Sequence, residues 1–108
     1  MIVVTTENVP GHRVVDVKGE VFGLVVRSRG LVGNFIATLR SYAGGEIKEY
    51  TQLLERGRQD AISRMRENAA AMGANAVVMM RFDSSSIDHS MAEIVAYGTA
   101  VVLERSPS

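Results

Sequence analysis

The stretch from Gly44-Gly45 to Gly73-Ala74-Asn75-Ala76-Val77-Val78 limits what this chain can become more than any other. Between the glycines runs a charged, amphipathic segment, long enough for a helix of about seven turns that stops at a glycine and turns directly into a strand. Ile47, Tyr50, Leu54, Ala61, Met65, Ala69 and Met72 recur at steps of three, four or their multiples. With Gly57 filling the one gap, they form a stripe down one face. Lys48, Glu49, Glu55, Arg56, Arg58, Asp60, Arg64, Arg66 and Glu67 occupy the other side. Asp60 and Arg64 stand four apart in the better orientation for an ion pair, and Glu46 and Glu49 fall in the first turn, where the helix dipole favours anions. Burying half the stripe contributes on the order of 10 kcal/mol gross, at about 2 kcal/mol per large apolar side chain, so packing rather than propensity holds such a helix. Gly73 supplies the left-handed residue that ends it.

The flanking segments read as strands. Ile2–Thr6 is a short β-prone run ended by the turn chemistry of Asn8-Val9-Pro10-Gly11. From His12 to Arg29 the chain is valine-rich, with Val15, Val17 and Val21 on one parity and Phe22, Leu24 and Val26 on the other. A change of parity around Gly19-Glu20 predicts two strand segments joined by a bulge or tight bend. Phe35–Ala43 has helical spacing behind an Asn34 cap, with a loop as the alternative. After Gly73, Ala76–Asp83 is apolar on both parities until Arg81, which predicts a strand covered on both faces. Ser84–Ser90 is a polar connection, and Met91–Glu104 is long enough to pair back as a hairpin. In that last strand Ile94, Ala96, Ala100 and Val102 face one way, and Val95, Tyr97, Thr99, Val101 and Leu103 the other. One helix layer cannot cover both faces of every strand in so small a domain, so part of the sheet is expected to meet another subunit.

These elements make an α+β fold: a mixed, mostly antiparallel sheet with one long helix packed on it. The chain's 108 residues suit one domain, placed at 1–104 with a tail at 105–108. Lys and Arg number 12 and so do Asp and Glu, so no net field favours nucleic acid or an anionic membrane. The absence of cysteine removes disulfides, thiolate nucleophiles and every cysteine-based metal site. Met1–Glu7 lacks the basic flank and long apolar run of a signal peptide, and no run of apolar residues is long enough to span a bilayer, so the expected compartment is the cytoplasm.

Four sets of residues are candidates for chemistry. His89 with Asp88, near Asp83, could hold a divalent metal, although Asp-x-His-Ser is also ordinary loop composition; His12 is the second histidine. Gly44-Gly45 opens a helix whose free N–H groups suit phosphate, yet the partner residues of the phosphate-binding motifs are missing and Glu46 places an anion there, so a tight turn is the simpler account. Arg40, Tyr50 and Arg58 could line a cleft that offers guanidinium and phenol groups to an anionic ligand. Arg81, interrupting an apolar strand, is expected to meet a carboxylate, Asp83 or Glu93 of a neighbouring strand or subunit. The methionines at 65, 72, 79, 80 and 91 stand at core spacing rather than as a soft-metal set.

Thr5-Thr6-Glu7-Asn8-Val9-Pro10-Gly11 with Val14-Val15, then Arg40 before Gly44-Gly45, Tyr50, Arg58, Ala61, Met65, the Gly73–Val78 run, Phe82-Asp83 and Gly98-Thr99-Ala100-Val101 together resemble the YbjQ-like family of small bacterial and archaeal proteins. The resemblance implies a dodecin-like β/α subunit assembling as a ring-shaped homo-oligomer, a pentamer, and carries a heavy-metal-binding label without an established activity. Members typically continue the glycine pair with Arg-Ser and later Tyr-Glu, where this chain has Glu46, Ile47, Tyr50 and Thr51. Fold transfers better than function across such a likeness. The functional expectation is a non-enzymatic homo-oligomer with no nucleic-acid or membrane partner, holding a metal ion or small ligand at subunit interfaces. The alternative is an enzyme acting on a small anionic substrate in an interface pocket near Arg40, Tyr50 and Arg58.

Overall fold

The computed structural model describes residues 1–28, 48–86 and 91–107, in the order β1 (Ile2–Val3), β2 (His12–Ser28), α1 (Lys48–Ala71), β3 (Ala76–Ser86) and β4 (Met91–Arg105). The predicted short helix at 35–43, the Gly44-Gly45 pair before α1 and the loop at 87–90 lie outside the described residues. The strands form one four-stranded sheet in the order β1-β3-β4-β2. β1 runs parallel to β3, and β3–β4 and β4–β2 are antiparallel, so the sheet is mixed and mostly antiparallel with α1 against one face. No helix among the described residues is long and apolar enough to cross a membrane.

The expected parity change in β2 takes the form of two bulges. Against β4 the register slips between Val14 and Asp16 and again between Val17 and Gly19, and Gly19 adopts φ 119°. Beyond them the odd residues Val21 and Val25 point toward α1 and join the core, while the even ones turn to the opposite face.

α1 is seated by small residues. Gly57, Ala61, Met65 and Ala69 are buried one turn apart, whereas Leu54 and Met72, expected on the same stripe, are exposed. At Gly23 the helix backbone rests on the strand backbone: a Cβ there would overlap the Ala61 carbonyl oxygen and the Met65 amide and lie 2.9 Å from the Met65 Cα. Alongside, Arg64 Nη1 donates to the Leu24 carbonyl at 2.6 Å and Asn68 Nδ2 to the Phe22 carbonyl at 2.7 Å. Arg64, placed by its spacing on the charged side of the helix, is thus turned to β2.

The turn from α1 into β3 is specified in detail. Gly73, at φ 85°, lets its own N–H reach the Ala70 carbonyl and the Ala74 N–H reach the Ala69 carbonyl, which satisfies the last turn of the helix. Asn75 then acts as an extra rung of the sheet. Its Nδ2 donates to the Leu103 carbonyl at 3.0 Å and its Oδ1 accepts the Leu103 N–H at 2.7 Å. β3 follows at once.

Two apolar clusters result. On the helix side Val21, Val25, Ala61, Met65, Ala69, Ala74, Val77, Ala96 and Ala100 pack together. On the other face Ala76, Val78, Val101 and Leu103 are covered by Val4 and Val9 of the N-terminal segment. β3 is therefore buried on both faces only over Ala76–Val78. From Met79 onward it becomes exposed or half-buried, and the strand continues through Ser84–Ser86, residues expected in the connection. Their hydroxyl-rich sequence still pairs with β4 because Ile94, Glu93 and Ala92 lie opposite in register.

Candidate functional site: an open sheet face and the notch at its edge

Beyond the patch sealed by Val4 and Val9, the face away from α1 carries large apolar side chains to which no described residue is added. Phe22 and Tyr97 stand opposite each other across β2 and β4, with ring centroids 6.3 Å apart. Phe22 is 53% exposed, Leu24 45%, Val26 47% and Tyr97 37%. Val14, Val15 and Val17 add exposed apolar surface at the bulged end of β2. Glu20, Glu93, Arg81 and Asp83, on the same strands, supply a polar margin. The Cα radius of gyration is 17.4 Å, against about 13 Å for a compact domain of this length, so the long strands project rather than wrap their own core.

At the β1 side the N-terminal segment follows β3 and then leaves it. Val4 N–H donates to Val77, Met80 N–H to Val4 and Met79 N–H to Thr6, so the segment hugs β3 as far as Met80. There β3 bulges: Val78 pairs with Thr99 and Arg81 with Tyr97, so Met79 and Met80 together oppose Gly98. Met79 sits at φ 56°, a left-handed conformation that a non-glycine residue adopts at a cost of about 1 kcal/mol or more. Gly98 makes room for the bulge, since a Cβ there would come within 2.9 Å of the Val78 carbonyl oxygen and 3.3 Å of the Met80 Cα.

Arg81 follows the bulge, and within the chain it forms no ion pair with Asp83 or Glu93. The extra residues swing its guanidinium toward the N-terminal segment, where Nη1 donates to the Thr5 and Met80 carbonyls, each at 2.8 Å. The two carboxylates are engaged elsewhere: Asp83 Oδ1 accepts the Ser84 N–H at 2.9 Å, and Glu93 Oε1 accepts the Ser85 hydroxyl at 2.9 Å. Thr5, Met80, Arg81 and Phe82 line an open cavity of 410 Å³. On its helix side the Arg58 guanidinium lies over the Phe82 ring, 5.6 Å from the centroid.

Of the cleft expected from Arg40, Tyr50 and Arg58, only Arg58 can be placed. Arg40 and the side chain of Tyr50 lie outside the described residues, and Arg58 stacks on Phe82, a partner that its place on the charged helix face did not suggest. Asp88 and His89 also lie outside them. His12, at the start of β2, donates from Nδ1 to the Pro10 carbonyl at 3.0 Å. Among the described residues no three His, Asp or Glu side chains group to hold a cation, and the sequence has no cysteine, so these residues do not fit a soft heavy metal. Arg81 as a ligand of Thr5, and the Phe22–Tyr97 pair, were not singled out from the sequence as site residues. The signal for the pair was the unbroken even parity of Phe22, Leu24 and Val26.

Comparison with known proteins agrees with the architecture. The solved structure of a protein of unknown function from the DUF74 family of Pediococcus pentosaceus superposes with a TM-score of 0.63 at 12% identity, over 96% of this chain and 98% of that one. At such low identity the likeness concerns the fold. In sequence, a UPF0145 protein of Bradyrhizobium sp. strain ORS 278 is 65% identical over 104 residues, covering 96% of this chain and 94% of that protein. A UPF0145 protein of Saccharolobus solfataricus is 56% identical over 106 residues, covering 98% and 93%. A family model described as "Putative heavy-metal-binding" matches residues 1–104, which include every described strand but the last residue of β4. With that match and relatives of such identity along nearly the whole chain, this protein belongs to the YbjQ-like family.

Proposed function

We propose that this protein works as a homo-oligomer, a ring whose copies meet through the open face of the sheet, and that its role is to hold a small ligand or to serve as a scaffold rather than to catalyse a reaction. The observation that carries the proposal is the exposed row of Phe22, Leu24, Val26 and Tyr97, over which no described residue is laid. Each of these side chains is roughly half exposed, so covering the remainder contributes about 1 kcal/mol apiece. Four such contributions per copy, repeated around a closed ring, favour assembly, and a lone copy would keep an apolar patch of the kind that marks interaction surfaces. Five copies is the number that the family resemblance implies.

Native mass spectrometry with sedimentation velocity tests the proposal. A discrete oligomer is expected at micromolar concentration, and Phe22→Glu with Leu24→Glu is expected to give a folded monomer. A wild-type protein that remains monomeric would overturn it. For the metal-holding version of the same function, calorimetric titration with zinc, copper or nickel should give saturable binding that is lost on Asp88→Ala with His89→Ala. No binding, or binding unchanged by those substitutions, dismisses that site.

A further inference from the structure

We propose that the notch where the N-terminal segment leaves β3 binds a small organic oxyanion, a carboxylate or phosphate monoester carried on a flat apolar body, with Arg81 as its anchor. Every participating residue belongs to one chain.

Arg81 commits a single nitrogen, Nη1, to the Thr5 and Met80 carbonyls. Those bonds fix the plane of the guanidinium and leave the Nη2 and Nε donors for an incoming group, the pair of parallel N–H bonds that oxyanions accept in bidentate fashion. No carboxylate among the described residues neutralises it: Asp83, the nearest along the strand, has turned Oδ1 to the Ser84 amide. A second positive charge stands on the helix side, where Arg58 covers the Phe82 ring. The cavity of 410 Å³ falls in the size range of small-molecule sites, and its other walls are the half-buried Met80, the exposed Phe82 and Thr5. Met80 and Phe82 offer apolar contact to a ring or short chain, and the Thr5 hydroxyl a further donor.

The construction of the notch also sets it apart from an ordinary strand edge. Regular pairing would set Arg81 opposite Ala96, on the helix side of the sheet. Instead two residues oppose Gly98, Met79 is held left-handed, and the N-terminal segment is bonded to β3 on both sides of the bend. Backbone strain held in place by surrounding bonds is characteristic of ligand clamps.

The test is a titration of isotope-labelled full-length protein, followed by amide chemical shifts, with benzoate, phenyl phosphate and inorganic phosphate at constant ionic strength. Saturable shifts at Thr5, Thr6, Met80, Arg81 and Phe82 are expected with one or both aromatic probes. The stronger of the two identifies the acid class, and inorganic phosphate is expected to bind more weakly for want of the apolar contact. Arg81→Lys keeps the charge but loses the fork, and should weaken binding about tenfold. Arg58→Gln should weaken it by a smaller factor. Shifts that stay linear across the millimolar range, shifts scattered over all arginines, or wild-type affinity in Arg81→Lys would each overturn the proposal. The wild-type titration decides it even if substitution at Arg81 loosens the N-terminal segment.

Discussion

Gly23→Ala tests how α1 sits on the sheet. The added Cβ would meet the Ala61 carbonyl and the Met65 amide, which are main-chain atoms at the middle of a 24-residue helix and cannot swing aside as a side chain would. Relief requires the helix to lift off β2, and overpacking of this kind costs about 3 kcal/mol at the upper end of its usual range. Lifting also lengthens the bonds from Arg64 to Leu24 and from Asn68 to Phe22, which contribute about 1–2 kcal/mol and about 1 kcal/mol. A loss of about 5 kcal/mol follows, a large part of the stability of a domain this size. The control is Gly57→Ala on the facing surface of the same helix. Its Cβ would meet only the Ile94 Cδ1, at 2.8 Å, a movable side-chain end, and alanine gains about 1 kcal/mol of helix propensity over glycine. The two changes should therefore differ by several kcal/mol in urea unfolding at one fixed protein concentration. If Gly23→Ala unfolds within about 1 kcal/mol of wild type, the close backbone approach is wrong.

Asn75→Ala removes both bonds to Leu103 and leaves that backbone pair short of partners, so a loss of about 2 kcal/mol by denaturant unfolding is expected, with Asn75→Asp recovering at most the bond from the Leu103 amide. Met79→Gly relaxes the left-handed residue of the β3 bulge and should leave stability unchanged or raise it by up to about 1 kcal/mol, the gain being limited by the freer unfolded chain. The hydrogen bond and charge of Lys18, 2.8 Å away, hold the Asp16 carboxyl below its ordinary range. Because the folded value is the lower one, the contribution is present above the unfolded value and fades as the pH falls through the folded one. Asp16→Asn should accordingly lower stability at neutral pH and converge with wild type in strong acid, a difference readable from thermal melts across that range.

Much of this architecture follows from local chemistry. The run Gly73-Ala74-Asn75 announces itself because each residue serves the backbone in its own way, as a left-handed stop, a capping bond into the core, and a side chain that imitates a strand. The long helix and the bulges near Gly19 are likewise written in periodicity and glycine placement. The limits of the stripe are not, because Leu54 and Met72 have the right spacing and are nonetheless exposed. Arg81 shows the same limit in the sheet. An arginine in an apolar strand needs a partner, but the sequence cannot give the direction in which it points once two residues have slipped past Gly98. A bulge redirects every side chain after it, so carboxylates close in sequence lost the arginine to the carbonyl of a residue 76 positions away.

That redirection links the two parts of the molecule that face outward. In register, Arg81 lies beside Tyr97 and Tyr97 beside Phe22, so the notch and the apolar row are neighbours on one surface. Without the bulge, Arg81 would fall opposite Ala96 on the helix side of the sheet, where burying an unpaired charge carries a desolvation cost. With it, Arg81 comes to the open face beside Tyr97, its guanidinium is held by the Thr5 carbonyl, and Phe22, Leu24, Val26 and Tyr97 form the apolar row next to it. A strained methionine and a glycine across from it thus do two things: they open a polar recess at the rim and keep its charge out of the helix-side core. Apolar centre with polar rim is the pattern on which stable interfaces are built.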